Sequence, residues 1–513
     1  MKRPSLVSQG SLARIFQAAG EAWKRCDFQP AIEMMERASR LAPSNAIILL
    51  DLGRLHGLRY NYAAAERCFE QALRVAPKKS EAMVIASQHS RNFNNLSLAE
   101  KYLKRALEQK DVSPATMVKL AEVYERLRRS EEVANLVDRA LRSDAACAPA
   151  LLLRARLDRQ AGRLEAAEKL LRAFPVKMDP NLRASASYEL GGILDRQGRY
   201  DEAMTAFLGA KAFLQPIAAR ALAELKTIRA RISYLTENAT ADIIKQWSNT
   251  ASQLQPTRRL ALLGGHPRSG TTLLEQVLDA HPDMVSAEET EIFYNDAYGP
   301  LLRGHPDDTA MYSALAPATP VALQQSRQNY FRAMDLSLGQ PVGERLLIDK
   351  NPSYTFFIPA LVRIFPEIKF LIALRDPRDV VLSCFMQDLP LNHASAAWLT
   401  LAGATKEYSD LMTVWQTIKA RMVNPCLEVR YEDMVENLES VARKTLNFLE
   451  VPWDAGVLGF DEHARKKIVR SPTYADVAKP VYKTAMGRWH HYQKYLEPHL
   501  AALAPFARAL GYE

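Results

Sequence analysis

Cysteine is scarce in this 513-residue chain: Cys26, Cys68, Cys147, Cys384 and Cys426 are odd in number and widely spread, with no C-x-x-C pair. That pattern excludes a disulfide framework and leaves the thiols as small buried hydrophobes of a reducing compartment. Long apolar runs are missing as well. No stretch of about 18 uncharged apolar residues occurs, and the basic start MKRPSLVSQGSLARIFQAAG lacks the apolar core of about 7–15 residues that a secretory leader needs. The expectation is a cytoplasmic protein with no membrane partner. Histidine spacing gives no H-E-x-x-H or comparable ligand set. His266, His490 and His491 therefore read as core or surface residues, and no metal is expected. Glycine is sparse at 21 residues, while 48% hydrophobic and 24% charged residues exclude large-scale disorder. A chain of this length divides into about two to four domains.

What the first half does contain is a repeat. A small residue recurs at Ala31, Ala65, Ala99, Val133 and Ala167, each 34 residues after the last, and again at Ala203 after 36. Four residues beyond each stands Met35, Phe69, Leu103, Val137, Leu171 or Phe207, and three further on Ala38, Ala72, Ala106, Ala140, Phe174 or Ala210. Those offsets lie on one helix face. A second helix precedes each, as in LLDLGRLHGLRYN and YELGGILDRQGRY, and Pro43 and Pro77 close the first two units.

This pattern resembles the tetratricopeptide repeat, a helix pair of 34 residues. Small residues let the paired helices approach, and large ones fill the groove of the next unit. About six units over residues 12–215 would form an all-α solenoid. Its concave face is the usual seat of a peptide or protein partner; the alternative is a scaffold for the following domain. Residues 216–257 read as a helical connector.

From residue 258 the character changes. LALLGG (260–265), KFLIALR (369–375) and CLEVRYED (426–433) read as strands, and GTTLLEQVLDAHP, PRDVVLSCFMQ and ENLESVARKTLNFLE as helices. Runs that stay apolar on both parities suit a central parallel sheet covered on both faces. GGHPRSGTTLLEQVL places a glycine loop between strand and helix, the setting of a phosphate loop. Yet the lysine of G-x-x-x-x-G-K-[ST] is replaced by Thr271. The positive charge sits inside the loop as Arg268, which suits a nucleotide that needs no metal clamp at the bond being broken. A net charge of +9 fits an anionic ligand without identifying it, and nothing points to nucleic acid.

PRSGTTLL resembles the 5′-phosphosulfate loop of the sulfotransferases, whose donor is 3′-phosphoadenosine 5′-phosphosulfate (PAPS). The resemblance implies that Arg268, Ser269, Gly270, Thr271, Thr272 and Leu273 hold the donor. LIALRDPRDVVLSCF supplies Arg375 and Ser383, at the spacing with which that family reads the 3′-phosphate. The same residues also read as a helix start, with Asp376 as N-cap and Pro377 behind it. RSGTTL, LDAHP and EET occur in the order found in the tyrosylprotein sulfotransferases, which implies that Glu289 is the general base and Glu288 its neighbour. By the same resemblance Lys350, in LLIDKNPSYT, stabilises the transferring group, and Tyr431 contacts the donor. Thr473, with Ser471 as the alternative, would approach the sulfate.

Taken whole, the chain resembles the bacterial tetratricopeptide-repeat sulfotransferases: a solenoid, then a phosphate-loop-like α/β domain over residues 258–513. One departure bears on the acceptor. Where the tyrosylprotein enzymes have an arginine after EET, this chain has Glu291, so a protein, a sugar and a small molecule all stay open as acceptors. The implied reaction is in-line transfer from PAPS to a hydroxyl or amine, releasing adenosine 3′,5′-bisphosphate. Its rivals are an ATP- or GTP-dependent kinase and a repeat scaffold with a non-catalytic nucleotide fold.

Overall fold

The computed structural model describes all residues except 1–5, 111–112, 176, 250, 256, 304–309, 467–484 and 513. The chain divides into two compact units, Met1–Lys177 and Met178–Glu513.

The first unit is a run of helix pairs: Leu6–Lys24 with Phe28–Leu41, Ala46–Leu58 with Tyr62–Val75, Lys79–Asn92 with Leu96–Leu107, Pro114–Arg126 with Ser130–Ser143, and Ala148–Gln160 with Leu164–Arg172. The small residues of the repeat, Ala31, Ala65, Ala99, Val133 and Ala167, are all buried at the contact between partners. Close approach is enforced from both sides. A Cβ added at Gly53 would lie 2.4 Å from the Phe69 ring, so the aromatic occupies the room that the glycine leaves. The turn inside each pair also repeats, with one residue in the left-handed region: Cys26, Tyr60, Asn94, Arg128 and Gly162. The fifth pair departs from the expected pattern. Its second helix ends at Arg172, so Phe174 falls outside the helix and is only half-buried.

A sixth pair, Pro180–Arg196 with Tyr200–Leu214, repeats both devices: Gly191 faces the Phe207 ring and Gly198 makes the left-handed turn. It belongs to the second unit, so the boundary expected at 215/216 lies inside that unit. The physical reason is that its acidic residues Asp195 and Asp201 bond residues 488–495 near the end of the chain. Helices Ala219–Asn238 and Ala241–Ser248 fill the expected connector.

The sheet that follows has five parallel strands, β1 (Leu260–Gly265), β2 (Met284–Glu288), β3 (Leu346–Lys350), β4 (Lys369–Leu374) and β5 (Cys426–Arg430), in the order β2-β3-β1-β4-β5. β1, β4 and β5 coincide with the apolar runs read in the sequence. β2 and β3 lie in MVSAE and LLIDK, each five residues long and ending in charge, too short for periodicity to separate strand from turn. In this order the chain leaves β1 toward β2 on one side and later crosses to β4 on the other. The reversal opens a crevice at the carboxyl ends of β1 and β4, where open α/β sheets bind ligands. Leu263, Leu274, Ile348, Leu371 and Leu446 pack one face of the sheet.

Asp349 on β3 is buried and accepts a 2.8 Å hydrogen bond from the Tyr330 hydroxyl. Burial pushes its carboxyl up to about 7, against the opposing pull of that bond and of Lys350. A folded-state value above the unfolded one makes the native state hold the proton more tightly. The resulting stabilisation is present below about pH 4 and is lost as pH rises through 7. Asp349→Asn should therefore gain stability over the parent progressively between pH 4 and 7, by at most about 4 kcal/mol. Urea unfolding across that range checks it, and a difference independent of pH would contradict the assignment.

Candidate active site

β1 runs straight into the loop 266–270 and the helix Thr271–Asp279. Two glycines there have no substitute. Gly265 has φ +118° and a Cβ would stand 2.3 Å from the Ala373 carbonyl oxygen; Gly270 has φ +91° and a Cβ would stand 2.7 Å from the Tyr431 ring. Arg268 also takes a left-handed conformation, φ 72°. Thr355 clamps the base of the loop: its hydroxyl accepts from the Gly265 N–H at 2.8 Å and donates to the Gly265 carbonyl at 3.1 Å. Ser269, Thr271 and Thr272 are buried, and Leu273 packs on the sheet core. Gly270 offers no side-chain cap to the helix N-terminus, the kind of helix end at which anions bind. His266 beside the loop is buried, and burial lowers its pKa to about 4, so it is neutral at physiological pH.

At the carboxyl ends of β2 and β3 the structure gathers carboxylates around one ammonium. Lys350 Nζ lies 2.7 Å from Glu289 Oε1 and 3.3 Å from Glu275 Oε2. Burial by itself would lower the Lys350 pKa, but Glu275, Glu289 and Glu288 outweigh it and hold the ammonium above the ordinary lysine range. Glu275 is fixed by the Ser286 hydroxyl at 2.8 Å, and Glu288 by the Gln276 amide at 3.1 Å. The side chains of Glu275 and Lys350 are fully buried, whereas that of Glu289 is 39% exposed. Of this cluster, Glu289 is the group that meets solvent. Its backbone has φ 42°, an unfavourable region for a non-glycine residue. The turn is held in place from several sides. The Glu289 N–H donates to the Lys350 carbonyl at 2.7 Å, and the Thr290 carbonyl accepts from Asn351 Nδ2 at 3.0 Å and from the Tyr354 hydroxyl at 2.7 Å.

Arg375 follows directly on β4, and the helix Pro377–Phe385 starts two residues later with the Asp376 side chain capping the Arg378 N–H. The structure brings Arg268, Arg375 and Ser383 together. Arg268 Nε donates to Ser383 Oγ at 3.1 Å, and an Arg375 Nη donates to the Arg268 carbonyl at 3.2 Å. The other Arg375 Nη bonds the Ala485 carbonyl, and the guanidinium lies 5.0 Å from the centre of the Tyr431 ring. Arg375 Nε is buried without a hydrogen-bond partner among the described residues. Tyr431, read as the end of a strand, is instead the first residue of the helix Tyr431–Glu436. Ser471 and Thr473 lie outside the described residues.

Several residues escaped the sequence reading. Glu275 had one signal, a charge within the apolar run TTLLEQVL; Thr355, Asn351 and Tyr354 had none, because their partners are 61–90 residues away. The carboxyl ends of the strands thus carry two arginines and a glycine loop after β1 and β4, and a solvent-facing carboxylate backed by a buried ammonium after β2 and β3. Such a site can bind a multiply charged anion beside a proton acceptor.

This combination defines an α/β phosphate-loop protein of group-transfer type, and comparison with known proteins gives the family. A model of the sulfotransferase family matches residues 261–455, and a tetratricopeptide-repeat model matches 60–114 and 170–219. Protein-tyrosine sulfotransferase 1 of Danio rerio is 30% identical over 270 residues, 50% of this chain and 72% of that protein. Protein-tyrosine sulfotransferase 2 of Gallus gallus is 30% identical over 271 residues, 50% of this chain and 69% of that one. Among solved structures, the sulfotransferase domain of a Synechococcus olefin synthase is 21% identical, spans 50% of this chain and 96% of its own, and superposes with a TM-score of 0.35. The chain belongs to the sulfotransferase family, with tetratricopeptide repeats ahead of the catalytic fold. No helix among the described residues is long and apolar enough to cross a membrane.

Removing the ammonium should expose how much the carboxylates depend on it. Lys350→Met leaves Glu275 charged and buried, and should cost about 3–5 kcal/mol of stability. Adding Glu275→Gln to that variant should recover most of the loss. Chemical denaturation measures both; a single variant within about 1 kcal/mol of the parent would contradict the electrostatic account.

Proposed function

We propose that the protein transfers the sulfuryl group of PAPS to a hydroxyl or amine of an acceptor, with Glu289 as general base. The observation that carries this reading is the convergence of Arg268, Arg375 and Ser383 at the crevice between β1 and β4. The site's chemistry fits an adenosine 3′,5′-bisphosphate group: Arg375 keeps one buried N–H without a partner among the described residues, and the tight packing of Gly265 against Ala373 and of Gly270 against Tyr431 fixes the course of the loop. The donor would supply an activated sulfuryl group, and the protein the positioning and the charge stabilisation.

In this scheme Arg375 and Ser383 hold the 3′-phosphate, with Tyr431 beside the guanidinium. Arg268, Ser269, Gly270, Thr271, Thr272 and Leu273 form the 5′ cradle. Glu289, exposed at the edge of the pocket, takes the acceptor's proton. As it does so it loses its charge and its hold on Lys350. The ammonium, still compensated by Glu275, then turns its attraction toward the negative charge growing on the leaving oxygen. Thr473, or Ser471 in its place, adds a hydroxyl to that oxygen. The relatives named above are protein-tyrosine sulfotransferases, so a tyrosine hydroxyl is the first acceptor to try. Glu291 does not supply the positive charge that an acidic peptide would favour, and sugar and small-molecule acceptors belong in the same screen. The concave face of the repeats is proposed to bring a peptide or protein partner to the enzyme.

Calorimetric titration with adenosine 3′,5′-bisphosphate, and separately with ATP and Mg²⁺, tests the donor. The bisphosphate should bind preferentially, and Arg375→Ala should weaken it at least about tenfold, as loss of a charge-assisted contact does. Preference for ATP with Mg²⁺ would replace this reading with a kinase. Glu289→Gln should abolish transfer while leaving bisphosphate affinity within about threefold, since it removes a proton acceptor and not a phosphate contact.

A further inference from the structure

The sixth helix pair makes contacts that a repeat in an open array has no use for. They converge on the short stretch 485–492, which leads from the donor pocket into the last helix, Gln493–Ala509.

One side of this stretch is bound to the pocket. Arg375 donates to the Ala485 carbonyl. Asp379, on the same helix as Ser383, accepts the N–H groups of Gly487 at 2.7 Å and Trp489 at 2.8 Å. The Arg378 guanidinium lies 4.2 Å from the Trp489 ring. The other side is bound to the helix pair. Asp195 Oδ1 accepts from the Tyr492 hydroxyl at 2.6 Å and from Arg488 Nε at 3.3 Å, and Asp195 Oδ2 lies 2.7 Å from an Arg488 Nη. The Tyr200 ring stacks on His491 with centroids 4.2 Å apart and planes 12° apart. Side chains of one turn thus face opposite ways: Trp489 toward the helix that carries Ser383, and Arg488, His491 and Tyr492 toward the repeat.

A second contact joins the same elements directly. Lys211, buried on Tyr200–Leu214, directs its Nζ at the Phe385 ring, 4.9 Å from the centroid, two residues beyond Ser383. The pair therefore touches the helix Pro377–Phe385 at its carboxyl end and holds the turn bonded to its first half.

We infer that the sixth helix pair is a wall of the donor pocket, and that Asp195 is a positioning residue which, through Arg488, fixes the turn that seats Arg375. The inference rests on the donor reading above. The acid in ILDRQGRY is then selected for the nucleotide site and not for the repeat, although it lies 180 residues from Arg375 in sequence.

Asp195→Asn keeps the shape and an acceptor for Tyr492 while removing the charge that holds Arg488. In the full-length protein it should weaken adenosine 3′,5′-bisphosphate about tenfold, with amide exchange accelerated at residues 485–492 and not in the sheet. Arg488→Gln should do the same, and the double variant should be no weaker than either single one. That non-additivity separates positioning through the pair from general loosening, which would add. Parent protein that binds the bisphosphate alongside an Asp195→Asn variant within twofold of it would overturn the inference alone. Additive losses in the double variant would do so too. Failure of the parent to bind would overturn the donor reading, and this inference with it.

Discussion

The carboxyl ends of β2 and β3 are organised around the buried ammonium of Lys350. The Lys350 side chain is fully buried, and a charge in that position is tolerable only if carboxylates are brought to it. Glu275 comes from the helix after the glycine loop and Glu289 from the end of β2, so one ion-pair cluster fixes the relative placement of β2, β3 and the phosphate loop's own helix. The strained backbone at Glu289 persists within that frame. It places one carboxylate at the solvent edge while its neighbours stay inside.

The loop itself illustrates how the same backbone device can be retuned. A phosphate loop of the usual kind carries its cation on the helix, aimed at the β/γ-phosphates with a metal alongside. Here the corresponding position is Thr271, the charge stands inside the loop on Arg268, and a second arginine arrives from β4. The cationic donors thus come from two elements, the loop after β1 and the end of β4.

Much of this was legible in the sequence, and the reasons are specific. The repeat was readable because Ala31, Ala65, Ala99 and their successors must be small wherever two helices touch. The loop was readable because Gly265 and Gly270 have backbone geometries that other residues cannot adopt. Arg375 and Ser383 were singled out by the family spacing alone, and the structure places both beside Arg268. Glu275 and Thr355 were not, since their roles depend on which strand the fold places beside which helix. β2 and β3 were missed for want of length, and Phe174 was misplaced because its helix stops a turn early. The division into two compact units at 177/178 was not legible for a different reason. The sixth pair has every local feature of a repeat, and only distant partners at residues 488–495 assign it to the catalytic unit.

That assignment has an evolutionary consequence. Repeat arrays grow and shrink by gain or loss of whole modules, because each depends mainly on its neighbours. The five leading pairs keep that freedom, and their number can drift in related chains. The sixth cannot be traded in this way. Lineages should vary in the count of modules ahead of it while holding the last one, and its acidic turn, constant.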